Sequence, residues 1–286
     1  MSEKSAESIP AEVTKKEEST TEEVAERWDE RTRYLFGDEN VEKLQKKCVA
    51  VIGVGGVGGY CVEALSRVGI GKFVLVDGDA LSLTNLNRHI LGRLCDVGKP
   101  KVDLARDRIL SFNPDAQVIC KPVFFTKKDD LSFFPPDVDF IVDACDMADV
   151  KAHLAELCVK ADKPFIMALG AARRLDPTKI VITTLDQTSG DPLAAILRKN
   201  LKKSIGEENL WKVSVSMSTE TPIQVPQACK VPNKRAILPS FVTVPGAAGL
   251  AIGNYVIQAL ISGAKPKPPK KKKQKKASEP KKEPAN

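Results

Sequence analysis

Residues 48–59 read CVAVIGVGGVGG, and residues 72–79 read KFVLVDGD. The first run is apolar without a polar break until the glycines at Gly53, Gly55, Gly56 and Gly58. A continuous apolar stretch that ends at a glycine cluster predicts a strand buried on both faces. Glycines at such a turn let the backbone bend tightly and come close to a phosphate. The next stretch, YCVEALSRVGIG, has helical periodicity, so the end of its dipole that favours negative charge faces the turn. The second run ends on Asp77, placed to take ribose hydroxyls. Together these features predict a strand–turn–helix–strand unit that holds a nucleotide. On their own they point first to a nicotinamide dinucleotide.

Outward from this unit, strands and helices alternate. KVDLARDRILSFNP reads as a helix, AQVICKPV as a short strand, DFIVDACD as a buried strand and VKAHLAELCVKAD as a helix. KPFIMALGA and KIVITTL continue the pattern. On the amino-terminal side a short helix is expected from near Glu23 through ERWDERTRYLFG, with Gly37 as its stop, and a second from Asp38 across NVEKLQK. The expected fold is α/β, a Rossmann-like, doubly wound, mostly parallel sheet covered on both faces. One domain is expected over residues 24–263, with a substrate-side insertion at about 184–240 that contains two possible helices. LAIGNYVIQALI is expected as the last helix. Residues 1–23 and 264–286 lack apolar content and are expected to be disordered tails.

The 286 residues carry a formal charge of +7, unevenly spread. Residues 1–30 hold four Lys or Arg against ten Asp or Glu, whereas residues 264–286 hold ten Lys against two Glu. The lysine-rich end has several readings: affinity for a nucleic acid, nuclear import, solubility, or association with an anionic membrane surface. The apolar run from Val244 to Ile261 is broken by Pro245, Gly246, Gly249, Gly253 and Asn254, and reads as a buried helix rather than a transmembrane segment. The acidic start resembles neither a secretory signal nor a mitochondrial presequence, so a cytoplasmic location is expected. Seven cysteines, none in a CxxC pair, fit a reducing compartment and argue against zinc.

The residues beyond Asp77 argue against a nicotinamide cofactor. VDGDALSLTNLNRHILGRLCDVGKPK places Asp79, Asn85, Arg88 and Lys101 within one stretch. Cationic and amide groups at this density suit a triphosphate split between its α and β phosphates, where charge moves onto the leaving pyrophosphate. Asp143 and Asp146 close the strand DFIVDACD, where open α/β sheets bind ligands, and a carboxylate beside a triphosphate holds Mg²⁺. Asp146, which falls in the loop, is the better metal candidate. Asp143 reads equally as a buried structural carboxylate.

GxGGxG, VDGD, NLNR, VGKPK and DACD, in this order, resemble the adenylation domain of the ubiquitin-activating superfamily over about residues 31–263. The resemblance implies ATP as cofactor and activation of a carboxylate as an acyl-adenylate. It further implies ribose binding by Asp77, phosphate contacts from Asn85, Arg88 and Lys101, and Mg²⁺ on Asp146. Arg33 in RTRYLFG matches the position from which family dimers offer an arginine to the partner's ATP site, so a homodimer is expected. The family usually has Gln after NLNR; here His89 stands there, with no role assigned.

The segment GAARRLDPTKIVITTLDQTSGDPLAAILRKNLKK, with the later STETP, resembles the tRNA threonylcarbamoyladenosine dehydratases. That resemblance implies a tRNA substrate whose threonyl carboxylate is adenylated and then attacked by a carbamoyl nitrogen of the same nucleoside. Arg173, Arg174, Arg198 and Lys202, with Lys199 and Lys203, are candidates for tRNA phosphates; a solvated helix face is the alternative for residues 198–203. Asp191 reads as the N-cap of DPLAAILRK. Relatives in bacteria often carry a cysteine before the late glycine–alanine element; ILPSFVTVPGAAG has none, and Cys229 is the one thiol of the insertion. Other readings remain: an activator of a ubiquitin-like or sulfur-carrier protein, with a sulfur-relay partner; a nucleotide-binding scaffold; and an NAD oxidoreductase.

Overall fold

The computed structural model describes residues 26–224 and 238–263. Among the described residues, seven strands form one sheet: β1 (Cys48–Ile52), β2 (Lys72–Val76), β3 (Gln117–Lys121), β4 (Phe140–Asp143), β5 (Phe165–Ala168), β6 (Ile180–Thr184) and β7 (Ser214–Ser218). Their order is β3-β2-β1-β4-β5-β7-β6. All neighbours are parallel except β6 and β7. From β1 the chain winds outward through β2 and β3, then returns to place β4 on the other side of β1. The order therefore reverses between β1 and β4, and the crevice beyond their carboxyl ends is the place where such sheets take ligands.

The helices are α1 (Glu30–Phe36), α2 (Asp38–Gln45), α3 (Gly58–Arg67), α4 (Lys101–Leu110), α5 (Ala148–Lys160), α6 (Pro192–Ser204) and α7 (Thr243–Ser262). Alternation along the central strands divides the core into two layers. Val49, Val51, Phe73 and Leu75 pack with Leu65 of α3, Ile109 of α4 and Ile252 and Val256 of α7. Ala50, Ile52, Val74 and Val76 pack on the other face with Leu154 and Cys158 of α5 and Leu197 and Leu201 of α6. Each fully buried Leu or Ile contributes about 1.5–3 kcal/mol.

α7 is long and apolar enough to cross a membrane by length and composition. Val244, Ile252 and Val256 are nevertheless fully buried, as expected for a core helix. It lies against α3 through small residues. A Cβ on Gly249 would collide with the Val57 carbonyl oxygen, and one on Gly253 would stand 2.7 Å from Ala64 Cβ.

Two boundaries differ from the sequence expectation. The first helix begins at Glu30 rather than near Glu23, after a turn at Arg27–Asp29, and residues up to 25 lie outside the described part. The expected insertion at 184–240 contributes α6 and β7, and β7 is a fully buried strand between β5 and β6. Its sequence SVSMS turns Val215 and Met217 into the second core layer, while Ser214 Oγ hydrogen-bonds Tyr255 OH at 2.8 Å. Small hydroxyls in place of large apolar residues hide this strand in the sequence. The two tails and Cys229 lie outside the described residues.

Candidate nucleotide site at the switch point

The glycine turn leaves β1 directly into the crevice. Gly53 has φ +83°, and a Cβ there would stand 2.7 Å from the Ala144 and Cys145 backbone, so only glycine lets β1 turn against the β4 loop. A Cβ on Gly58 would collide with the Gly53 carbonyl, which sets how tightly α3 begins. Gly55 differs: nothing lies within 4 Å of a Cβ built there. That open side is where a ligand's phosphates can approach the backbone. A Cβ on Gly56 would lie 3.1 Å from Arg88 Cγ, so the Arg88 side chain passes directly over the turn.

Asp77, 7 % exposed at the end of β2, organises the turn. Its Oδ2 accepts from Val54 N at 2.7 Å and its Oδ1 from Asp79 N at 2.9 Å. A carboxylate offers roughly four acceptor positions, so the two used here leave capacity for ribose hydroxyls. Lys101, the first residue of α4, sends Nζ to Asp79 Oδ2 at 2.8 Å and lies 3.7 Å from Asp77 Oδ1. Asn85 closes a tight turn, its Oδ1 accepting from Ser82 N at 3.2 Å while its carbonyl accepts from Arg88 N and His89 N. Arg88 Nη1 donates to Thr84 O and Asn87 Oδ1 at 3.2 and 2.9 Å. Both of these partners are neutral oxygens. The structure thus brings Gly53, Gly55, Gly56, Gly58, Asp77, Asp79, Asn85, Arg88 and Lys101 to one crevice.

At the end of β4, Asp143 and Asp146 have different environments. Asp143 is fully buried, with Oδ1 2.9 Å from Lys151 Nζ and accepting from Cys145 N at 3.1 Å. Lys151 also donates to the Asp143 carbonyl oxygen at 3.1 Å. This buried pair holds the loop that backs Gly53. Asp146 is exposed beyond it, in the crevice-side loop. Sequence reasoning does not single out Lys151. It occupies a core position on the stripe that it shares with Leu154, Ala155 and Cys158, and a charge on an apolar stripe is the signal that marks it.

The expected tRNA-binding residues differ in exposure and pairing. Arg174 is corrected: it is 3 % exposed and pairs with the buried Asp191 at 3.3 Å, so it cannot meet a phosphate on the surface. Asp191 also caps α6, accepting from Ala194 N at 2.9 Å, as expected. Arg173 has φ +61°, and its backbone holds two segments: its N–H donates to Pro239 O and its carbonyl accepts from Ile223 N, both at 2.9 Å. Arg198 is half-buried and bonds Thr188, whereas Lys202 is exposed with Glu207 2.6 Å away. Arg33 lies on α1, between Asp29 at 2.8 Å and Asp38 at 2.7 Å.

Burial pushes the Cys145 and Cys158 thiols up to about 12 and Cys48 up to about 11, and raises Cys61 and Cys120 as well. Thiols held in that form are poor nucleophiles at neutral pH.

Residues 30–283 match the ThiF family. The tRNA threonylcarbamoyladenosine dehydratase of Bacillus subtilis is 39 % identical over 241 residues, covering 81 % of this chain and 93 % of that protein. A crystal structure of the Escherichia coli tRNA threonylcarbamoyladenosine dehydratase in complex with ATP superposes with a TM-score of 0.74 at 28 % identity, over 82 % of this chain and 94 % of that one. The sulfur carrier protein adenylyltransferase of Thermus thermophilus is 32 % identical over 140 residues, 49 % of this chain and 51 % of its own length. The chain, with its glycine turn, Asp77 and cationic segment at the switch point, belongs to the ThiF family and groups within it with the tRNA threonylcarbamoyladenosine dehydratases.

Proposed function

We propose that the protein adenylates the threonyl carboxylate of threonylcarbamoyladenosine in tRNA and so drives its cyclisation. The observation that carries the reading is the joining of Asp77, Lys101 and the Arg88 segment to one open glycine turn. Asp77 would hold the ribose through the acceptor positions that Val54 and Asp79 leave open. Arg88 can turn from Thr84 and Asn87 onto phosphate oxygens at the cost of two neutral hydrogen bonds. Lys101 keeps one of its three N–H donors on Asp79 and has others for phosphate.

Among the described residues, no three His, Cys, Asp or Glu side chains converge. A Mg²⁺ ion that takes most of its ligands from phosphates and water needs only one or two carboxylates, and Asp146 fits that role. The ion would neutralise charge that develops on the leaving pyrophosphate.

In the proposed reaction a threonyl carboxylate oxygen attacks the α-phosphorus, and the bond to the β-phosphate breaks. The carbamoyl nitrogen then attacks the acyl carbon and loses its proton. AMP departs with the former carboxylate oxygen, which accounts for the water lost from the nucleoside. No protein nucleophile enters, because the attacking atom belongs to the substrate.

We further propose a homodimer in which Arg33 serves the partner's ATP. The exposed apolar side chains of the α1 region support it: Tyr34 is 80 % exposed, Leu35 76 % and Trp28 48 %.

The test is ATP-dependent pyrophosphate release on tRNA carrying threonylcarbamoyladenosine, with unmodified tRNA and the Arg88→Ala protein as controls. AMP formation together with loss of one water from the nucleoside is the expected result. ATP binding without stimulation by modified tRNA would sink the substrate assignment. It would favour activation of a sulfur-carrier or ubiquitin-like protein terminus instead.

A further inference from the structure

His89 is a buried polar group of the crevice with no part in the proposed adenylation. It is 4 % exposed, and its Nε2 lies 2.7 Å from the Val54 carbonyl oxygen. A carbonyl only accepts, so Nε2 must carry the proton. In a neutral ring Nδ1 is then a bare acceptor, and among the described residues it is buried with no hydrogen-bond partner. Burying an unpaired acceptor is costly, which the Val54 contact must offset.

Val54 is held from both sides. Its N–H goes to Asp77 at 2.7 Å and its carbonyl takes the His89 proton. His89 also stands next to Arg88 in the chain, and its own N–H is tied to the Asn85 carbonyl at 2.9 Å. One imidazole thus links two segments remote in sequence, the turn after β1 and the turn that carries Arg88.

We propose that His89 is a positioning residue that fixes the Asn85–Arg88 segment to the glycine turn, acting as a neutral imidazole protonated on Nε2. This role rests on the proposed nucleotide site, and extends it by assigning the position where the family pattern carries Gln. A Gln amide can donate to the same carbonyl, so the two side chains are alternative donors for one bond. Burial lowers the His89 pKa, as do the nearby Lys101 and Arg88, against the opposing effects of the Val54 bond and Asp77. The balance keeps the ring neutral at physiological pH.

The chain has two histidines, so a His153→Gln protein leaves a single ring to observe. A two-bond ¹H–¹⁵N correlation spectrum of that protein at pH 7 should show Nδ1 bare and Nε2 protonated. The opposite tautomer, or fast averaging of the two, overturns the proposal. ATP affinity of the otherwise native full chain is then compared by calorimetry for His89→Gln and His89→Leu. His89→Gln should stay within about threefold of the native protein, and His89→Leu should weaken ATP roughly tenfold or more, the cost of one lost bond and an orphaned carbonyl. Equal affinities for the two variants would also overturn it. If His89→Leu fails to fold, the tautomer and the His89→Gln affinity still decide. Native protein that binds no ATP would refute the nucleotide reading, while the spectrum would still judge the Val54 contact.

Discussion

Arg88 and Lys101 are held with unequal firmness, and that difference predicts different defects. Arg88 rests on two neutral oxygens, so its removal disturbs little besides the phosphate contact. Arg88→Ala should lower the rate of pyrophosphate release by roughly 10²–10³ while the melting temperature stays unchanged. Arg88→Lys should recover little, since an ammonium lacks the planar fork. Lys101→Ala instead leaves Asp77 and Asp79 without their shared cation, so weaker ATP binding should accompany the slower rate. His89 adds a pH dependence to stability. Its folded pKa lies below the ordinary 6.5, so as pH falls through 6.5 the unfolded chain takes up the proton first. Stability should be unaffected by this group above that pH and should decline below it. Thermal melts from pH 8 to 5 should show a steeper acid loss for the native protein than for His89→Gln; parallel curves would contradict the assignment.

At the scale of elements, the glycine-lined contact of α7 with α3 and the buried Asp143–Lys151 pair each concentrate stability in a few atoms. Gly249→Ala should cost about 1–3 kcal/mol through overpacking, whereas Leu250→Ala, at a half-exposed neighbour, should cost little. Lys151→Met should be worse, about 3–5 kcal/mol, because it strands the Asp143 carboxylate inside the protein. Adding Asp143→Asn should recover part of that loss in a denaturant titration, and no recovery would mean that the charge pair is not the cause. These elements also show which parts of the fold are legible in the sequence. β1, β2 and β4 announce themselves because strands covered on both faces are continuous apolar runs, and α6 because Asp191 caps it before Pro192. β7 is illegible because alternate serines in SVSMS look like loop sequence, yet all five residues are buried. Arg174 misleads for a related reason: a cationic side chain reads as surface, and only its pairing with Asp191 reveals it as interior. The residues up to Lys101 are legible as a group because the turn after β1, the end of β2 and the start of α4 all fall at one end of the sheet. His89 and Lys151 act on backbone and loop, where sequence spacing carries no comparable mark.

For the whole molecule, the question is whether one chain completes the proposed site. Arg33 is anchored to Asp29, whose side chain is 2 % exposed, while its second partner Asp38 is 75 % exposed. Exchange of Asp38 for a phosphate on a partner chain would keep the buried anchor and release only a solvated one. The apolar side chains beside it, Tyr34, Leu35 and Trp28, are left largely exposed by the described residues, and an apolar patch of this kind marks an interaction surface. Leu35→Asp should therefore shift the native mass in light scattering toward one chain and reduce activity together with it. Arg33→Ala and Arg88→Ala proteins should each be nearly inactive alone. In mixed dimers, one of the two sites combines an intact Arg88 with the partner's intact Arg33. Unfolding and refolding an equimolar mixture should then restore roughly a quarter of native activity, because half the dimers are mixed and each holds one complete site. A mixture no more active than its components, with dimers present, would place Arg33 outside the partner's site and leave adenylation to a single chain.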